Sequence, residues 1–270
     1  MKLKQFLSVV LALSMGLTLL LPGLGFAEEA DAPGIFYNDY ESEAANREAS
    51  RELYAIVASE GNVLLKNREN ALPLGSDSLG ISLFGLRSEL TYFSGAGSAG
   101  GDNTDPTNVS LREALEAEGY RVNPTLHEFI AAESRKDTYI SEGGGMFDGG
   151  TFTYKNAGED SLALEIPVAN YPSNIARSYD NYKDVAILVF GRQGSEGADS
   201  YRGTADTVGE DGQTIEGKKH YLELTDDEEA LVEYVKAQQF GKIIVMINTG
   251  VPMEMGNLER DDAIDAILWI

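Results

Sequence analysis

An α/β fold, a mostly parallel sheet with helices on both faces, is what this 270-residue sequence predicts, on three observations. Short apolar runs recur at residues 63–65, 81–84, 185–190, 243–247 and 264–270. They are continuous rather than alternating, as in strands buried on both faces of a parallel sheet. Helix-start signals fall between them, and alternation of strand and helix is the mark of a layered α/β domain. A hydrophobic content of 43% with 24% charged residues is that of a globular chain.

Residues 1–27 read as a secretory signal peptide outside the fold. Lys2 and Lys4 give a basic start, residues 6–21 are apolar apart from Ser8, Ser14, Gly16 and Thr18, and Gly25 and Ala27 place small residues before a cut. The apolar run is shorter than the ~20 residues a membrane span asks for, which favours cleavage over retention as an anchor. The protein is therefore expected to be exported, secreted or associated with the cell envelope. Residues 28–40 are an irregular leader, and residues 41–270 are expected to form the α/β domain.

Within that domain residues 41–59 read as a helix, with Ala45, Ala49, Leu53, Ile56 and Val57 close to one face. Ser110-Leu111-Arg112-Glu113 has capping-box spacing, in which hydroxyl and carboxylate reciprocally satisfy the free amides of a helix start. Gly119 would close that helix in the left-handed region. Thr225-Asp226-Asp227-Glu228 repeats the device, and with Glu229 its carboxylates complement the helix dipole. Two stretches, 141–161 and 194–220, are rich in Gly and acidic residues and read as insertions. The second follows the strand ending at Phe190, and carboxyl ends of strands are where open α/β sheets bind ligands. The sequence stops at Ile270 inside an apolar run, so the sheet is expected to be incomplete at its C-terminal side and to belong to a longer protein.

A net charge of -23 opposes phosphate backbones and anionic membranes, so no nucleic-acid partner is expected. The absence of cysteine removes disulfides, thiolate metal sites and cysteine nucleophiles. His127 and His220 each lack a second ligand at metal spacing, so no metal and no cofactor is expected. Gly95, Gly97 and Gly100 fit G-x-G-x-x-G, but Asp102, Asn103, Thr104, Asp105 and Pro106 follow where a phosphate-binding helix should open. Nucleotide binding is therefore not expected. The acidic stretch after Gly100 also fails the EF-hand pattern, and Asn108-Val109-Ser110 fits a glycosylation sequon whose Ser110 already serves as a cap.

The segment Gly191-Arg192-Gln193-Gly194-Ser195-Glu196-Gly197-Ala198-Asp199 offers one glutamate between small residues at the end of a strand. Partial desolvation there would raise the pKa of Glu196 and suit it to general acid work. On these residues alone, a solvated glutamate in an acidic chain is the better reading.

Several blocks together resemble the family 3 glycoside hydrolases, the β-glucosidase and β-xylosidase group. They are Ala58-Ser59-Glu60-Gly61-Asn62-Val63-Leu64-Leu65-Lys66-Asn67 with Ala71-Leu72-Pro73-Leu74, Ser82-Leu83-Phe84-Gly85 with the Gly95 loop, and the Gly191–Asp199 segment. Tyr221-Leu222-Glu223-Leu224-Thr225-Asp226-Asp227-Glu228 and Ile247-Asn248-Thr249-Gly250-Val251-Pro252-Met253-Glu254-Met255 complete the set. The resemblance implies the family's C-terminal-type α/β sandwich domain and a retaining hydrolase of β-linked glucosides or related sugars. In that chemistry an aspartate attacks the anomeric carbon, and a glutamate protonates the leaving oxygen and then activates water, the two carboxylates lying ~5–5.5 Å apart. Glu196 takes the acid/base role by position, and Arg192 and Asp199 are implied sugar contacts. Ser200 departs from the arginine frequent there in the family. The substrate implied is an oligosaccharide or an aryl or alkyl β-glycoside.

The family's nucleophile sits on a (β/α)8 barrel, and the sequence before Glu60 has no room for one. The domain order is thus that of permuted members, with a barrel expected downstream. This chain alone is expected not to turn over sugar. The alternative is a non-catalytic carbohydrate-binding or scaffold remnant of the same fold.

Overall fold

The computed structural model describes residues 39–75, 79–93, 108–136, 141–142, 153–154, 164–192, 207–208, 213–215 and 219–270. The chain divides into two units, Met1–Ala55 and Ile56–Ile270. Helix α1 (Glu43–Gly61) begins in the first and ends in the second. It follows the expected helix closely, supported by Ala45, Ala49 and the Glu43–Arg47 pair at i,i+4. None of its residues is buried, and Leu53 stays 57% exposed.

The second unit runs β1 (Val63–Asn67), β2 (Gly80–Phe84), α2 (Leu111–Ala117), β3 (Arg121–Val122), α3 (Pro124–Ser134), β4 (Ser141–Glu142) and β5 (Thr153–Tyr154). It continues with β6 (Val185–Arg192), β7 (Thr207–Val208), β8 (Thr214–Ile215), α4 (Asp226–Ala237), β9 (Lys242–Thr249), α5 (Gly256–Arg260) and β10 (Ala266–Trp269). Six strands form one sheet in the order β1-β10-β9-β6-β2-β3. All neighbours are parallel except β1, which runs antiparallel to β10. The expected α/β class with a mostly parallel sheet is thus observed.

β1 departs from expectation. Its apolar run predicts burial on both faces, yet Val63, Leu64 and Leu65 are exposed. Among the described residues the strand closes the sheet edge and pairs on one side only, and an apolar run does not by itself distinguish an antiparallel edge from a parallel interior. The two insertions each contain a short antiparallel pair, β4 with β5 and β7 with β8.

The sheet buries both faces because its central strands split their side chains between them. Val185, Ile187 and Val189 of β6 join Ile81, Leu83, Ile244 and Ala266 on one side, against Leu111 and Leu115 of α2. Ala186, Leu188 and Phe190 join Phe84, Val245 and Ile247 on the other, under Leu126 and Ile130 of α3 and Leu231 and Val235 of α4. Both predicted capping boxes form. Ser110 accepts from the Glu113 amide, Thr225 accepts from the Glu228 amide, and each glutamate reaches back to its cap residue. Gly119 takes φ +90° just beyond α2, as its position predicts. No helix among the described residues is long and apolar enough to cross a membrane.

The strand order decides where a ligand can sit. Counting β2, β3, β6, β9 and β10 as first to fifth, the sheet reads 2-1-3-4-5, which reverses direction between β2 and β6. A crevice opens beyond the carboxyl ends of strands at such a switch point. The connections leaving β2 and β6 are the two that carry the Gly95 loop and Glu196.

Candidate functional site

The carboxyl ends of the strands at the switch point are built from buried polar side chains. Arg87, Glu165, Arg192, Glu228, Asn248 and Thr249 are each less than 9% exposed. Such groups cost free energy unless paired, so their partners define what the site is held by.

Arg192, the last residue of β6, is fully buried. Its Nε donates to the Tyr221 carbonyl (2.7 Å), and its Nη1 donates to the Gly191 carbonyl (3.0 Å) and to Glu228 Oε1 (2.7 Å). Its Nη2 donates to the Glu223 carbonyl and to Glu228 Oε2, both at 2.7 Å. All five guanidinium donors are therefore used inside the protein. Glu228 Oε2 also accepts from the Thr225 amide (2.8 Å), so the capping box of α4 and the ion pair share one carboxylate. At the end of β9 the Arg192 carbonyl accepts from the Gly250 amide (3.4 Å) and lies 3.0 Å from Thr249 Oγ1, whose one proton is shared between it and the Val251 carbonyl (2.8 Å). Side chain and backbone of residue 192 are thereby both fixed.

Asn248 does for the other connection what Arg192 does for this one. Its Oδ1 accepts from the Tyr92 amide (2.7 Å) and its Nδ2 donates to the Tyr92 carbonyl (3.1 Å). A side-chain amide thus replaces a strand partner for the chain leaving β2. The two strand ends touch closely at Gly191, where a Cβ would meet the Asn248 carbonyl oxygen at 2.5 Å and a Tyr92 ring carbon at 3.3 Å. Gly191→Ala is expected to destabilise the fold by ~1–3 kcal/mol, as overpacking does. The check is a lower urea midpoint, and an unchanged midpoint would mean that β6 and β9 can spread there.

Glu165 sits beneath the same edge. Its carboxylate accepts from the Leu86 amide (2.9 and 3.0 Å) and from the Ile166 amide (2.7 Å), capping the 3-10 turn Leu86–Ser88 after β2. Burial pushes its carboxyl up to about 8, outweighing the Ile166 and Leu86 amides, with the nearby Glu228 charge acting in the same direction and Arg87 against it. The folded site thus favours the neutral acid. Its contribution to stability is fully present below the ordinary value of 4.5 and is lost as pH rises through about 8. Relative to Glu165→Gln, the native protein is expected to lose stability between about pH 5 and about pH 9, read from urea midpoints. Parallel pH profiles for the two proteins would contradict the assignment.

Of the residues singled out by sequence, Arg192 lies at this edge with its donors occupied. Glu196, Asp199 and Ser200 lie outside the described residues, as do the Gly95–Gly100 loop and the acidic residues that follow it. Glu196 stands four residues beyond Arg192 in the chain. His127 Nδ1 lies 3.4 Å from Glu89, and His220 Nδ1 accepts from the Leu222 amide (3.2 Å). Among the described residues no group of three His, Cys, Asp or Glu could hold a metal ion.

The roles of Glu165, Asn248 and Thr249 escaped sequence reasoning, as did the second role of Glu228. Their only local signals are a lone glutamate within Leu164-Glu165-Ile166-Pro167 and two polar residues ending an apolar strand. Their partners are distant in sequence, 79 residues for Glu165 to Leu86 and 156 for Asn248 to Tyr92.

Comparison with known proteins adds an independent line. Residues 62–270 match the family described as the glycosyl hydrolase family 3 C-terminal domain. A beta-glucosidase A from Butyrivibrio fibrisolvens is 27% identical over 230 residues, covering 80% of this chain and 24% of the relative. Beta-glucosidase 3B from Thermotoga neapolitana, solved in complex with glucose, superposes with a TM-score of 0.58 at 25% identity, over 83% of this chain and 27% of that one. A beta-glucosidase from Paenibacillus barengoltzii gives 0.59 at 25% identity, over 82% and 21%. The chain thus spans about a quarter of the length of these relatives.

Proposed function

The chain belongs to glycosyl hydrolase family 3, and from that premise we propose that it supplies the acid/base domain of an exported β-glycosidase, with Glu196 as the proton donor. The three relatives named above are beta-glucosidases, which favours β-linked glucosides as substrates. The observation that carries the reading is the position of the Glu196 segment. It follows Arg192 in the sequence, and Arg192 is the anchored last residue of β6, one of the two strands that flank the switch point.

The chemistry divides between two domains. A carboxylate on a (β/α)8 barrel attacks the anomeric carbon and expels the leaving oxygen, which takes its proton from Glu196. The resulting ester is then opened by water, whose proton returns to Glu196. This chain's part is to hold a carboxyl that is protonated in the first step and ionised in the second. Asp199 follows on the same segment as a sugar contact. Arg192 serves the site from beneath. Residues 1–27 carry the export signal.

The test uses an aryl β-glucoside and two preparations, the 270-residue chain alone and the chain joined to its downstream barrel. Turnover by the joined protein only is expected. Turnover by the isolated chain would contradict the division of labour. A stop codon directly after Ile270, with no barrel in the same frame, would favour the non-catalytic remnant.

A further inference from the structure

We propose that Arg192 and Glu228 form a positioning clamp that sets the foot of the acid/base segment, so that Arg192 acts on catalysis through Glu196 rather than by touching sugar. The inference rests on the reading of Glu196 as the acid/base. The chain leaves the sheet at Arg192 and reaches α4 at Asp226, and the Arg192 side chain bonds to residues at the far end of that connection. Two of its donors take the carbonyls of Tyr221 and Glu223, in the turn that leads into α4. Two more take both oxygens of Glu228 in the fork-to-fork geometry that only a guanidinium offers a carboxylate. The departing and returning ends are therefore held in one register by a single side chain.

The rest of the surroundings serve the same end. Glu228 is itself fixed in the first turn of α4 through Thr225, and α4 is pinned into the core by Leu231 and Val235. The Arg192 carbonyl is held at the end of β9 by the Gly250 amide and Thr249. Glu196 thus begins four residues from a point fixed on three elements. A sugar-binding arginine would leave donors for hydroxyls, whereas this one has none to spare. A buried ion pair is weak ground for stability alone and is better understood where it fixes a register.

General-acid help matters only when the leaving group is poor, which gives the clamp a signature that mere loss of folded protein lacks. The experiment is kcat/KM of the barrel-bearing protein along a series of aryl β-glucosides, from 2,4-dinitrophenyl to phenyl. The variants are Arg192→Lys, which keeps the charge but loses the fork, and Glu196→Ala as reference. Arg192→Lys is expected to hold near native rates on the dinitrophenyl substrate and to fall up to ~10²-fold on the phenyl substrate, as a misplaced catalytic group does. If the lysine variant melts, Glu228→Gln, which keeps the size and an acceptor for Thr225, repeats the test. A uniform loss along the series, or no loss, would overturn the clamp while a steep Glu196→Ala series leaves the acid/base reading standing. A flat Glu196→Ala series would overturn that reading and the clamp with it.

Discussion

Glu196→Ala, made in the protein that joins this domain to its barrel, is expected to cut kcat/KM on a phenyl β-glucoside by ~10²–10⁴-fold. Phenoxide is a poor leaving group and must be protonated as the glycosidic bond breaks, so loss of the donor falls on the first chemical step. Dinitrophenoxide leaves without that help, and its kcat/KM is expected to stay near the native value. Its kcat should fall instead, because water attacking the glycosyl-enzyme loses its base. Steady-state kinetics on both substrates separate these effects. A near-native rate on the phenyl substrate would remove Glu196 from the mechanism.

The second large effect is on stability. Glu228→Ala leaves the fully buried Arg192 charge without its carboxylate and deprives the Thr225 amide of its acceptor. Breaking a buried pair from one side costs ~3–5 kcal/mol, because the remaining charge is stranded away from water. Arg192→Met with Glu228→Leu removes both charges together, so the double variant should lose less than the two single losses added. A coupling of ~0.5–3 kcal/mol is expected from urea unfolding of the four proteins. Additive losses would mean that the carbonyls of Tyr221 and Glu223, rather than Glu228, hold the guanidinium.

How far the fold was legible follows from the range of each interaction. The caps at Ser110 and Thr225 were readable because hydroxyl, carboxylate and amide lie within four residues of one another. The central strands were readable because each is long enough in apolar residues to be buried on both faces, as β6 is throughout. β1 was misread, since Val63-Leu64-Leu65 has the composition of a core strand and its exposure depends on where the sheet ends. α3 escaped notice although Asn123 caps it and Pro124 occupies its first turn, a start signal the residues do carry. Glu228 was read as a cap and is one, but its bond to Arg192 spans 36 residues and could be seen only once β6 and α4 were packed together. The same holds for Asn248 and Tyr92. The Glu196 segment lies outside the described residues; what was legible is the strand before it, while the side chains that anchor the end of that strand were not, because their partners are set by topology.

The most direct measurement on the central claim is the product formed by Glu196→Ala in the presence of azide, with 2,4-dinitrophenyl β-glucoside as substrate and NMR as the readout. Azide needs no general base and can occupy the space left by the carboxyl, so it should intercept the glycosyl-enzyme that water no longer clears. The account predicts that azide raises kcat and that the product is the β-glycosyl azide, with configuration retained. No acceleration, or an α-glycosyl azide formed by direct displacement, would contradict the assignment of Glu196 as the acid/base of a retaining enzyme.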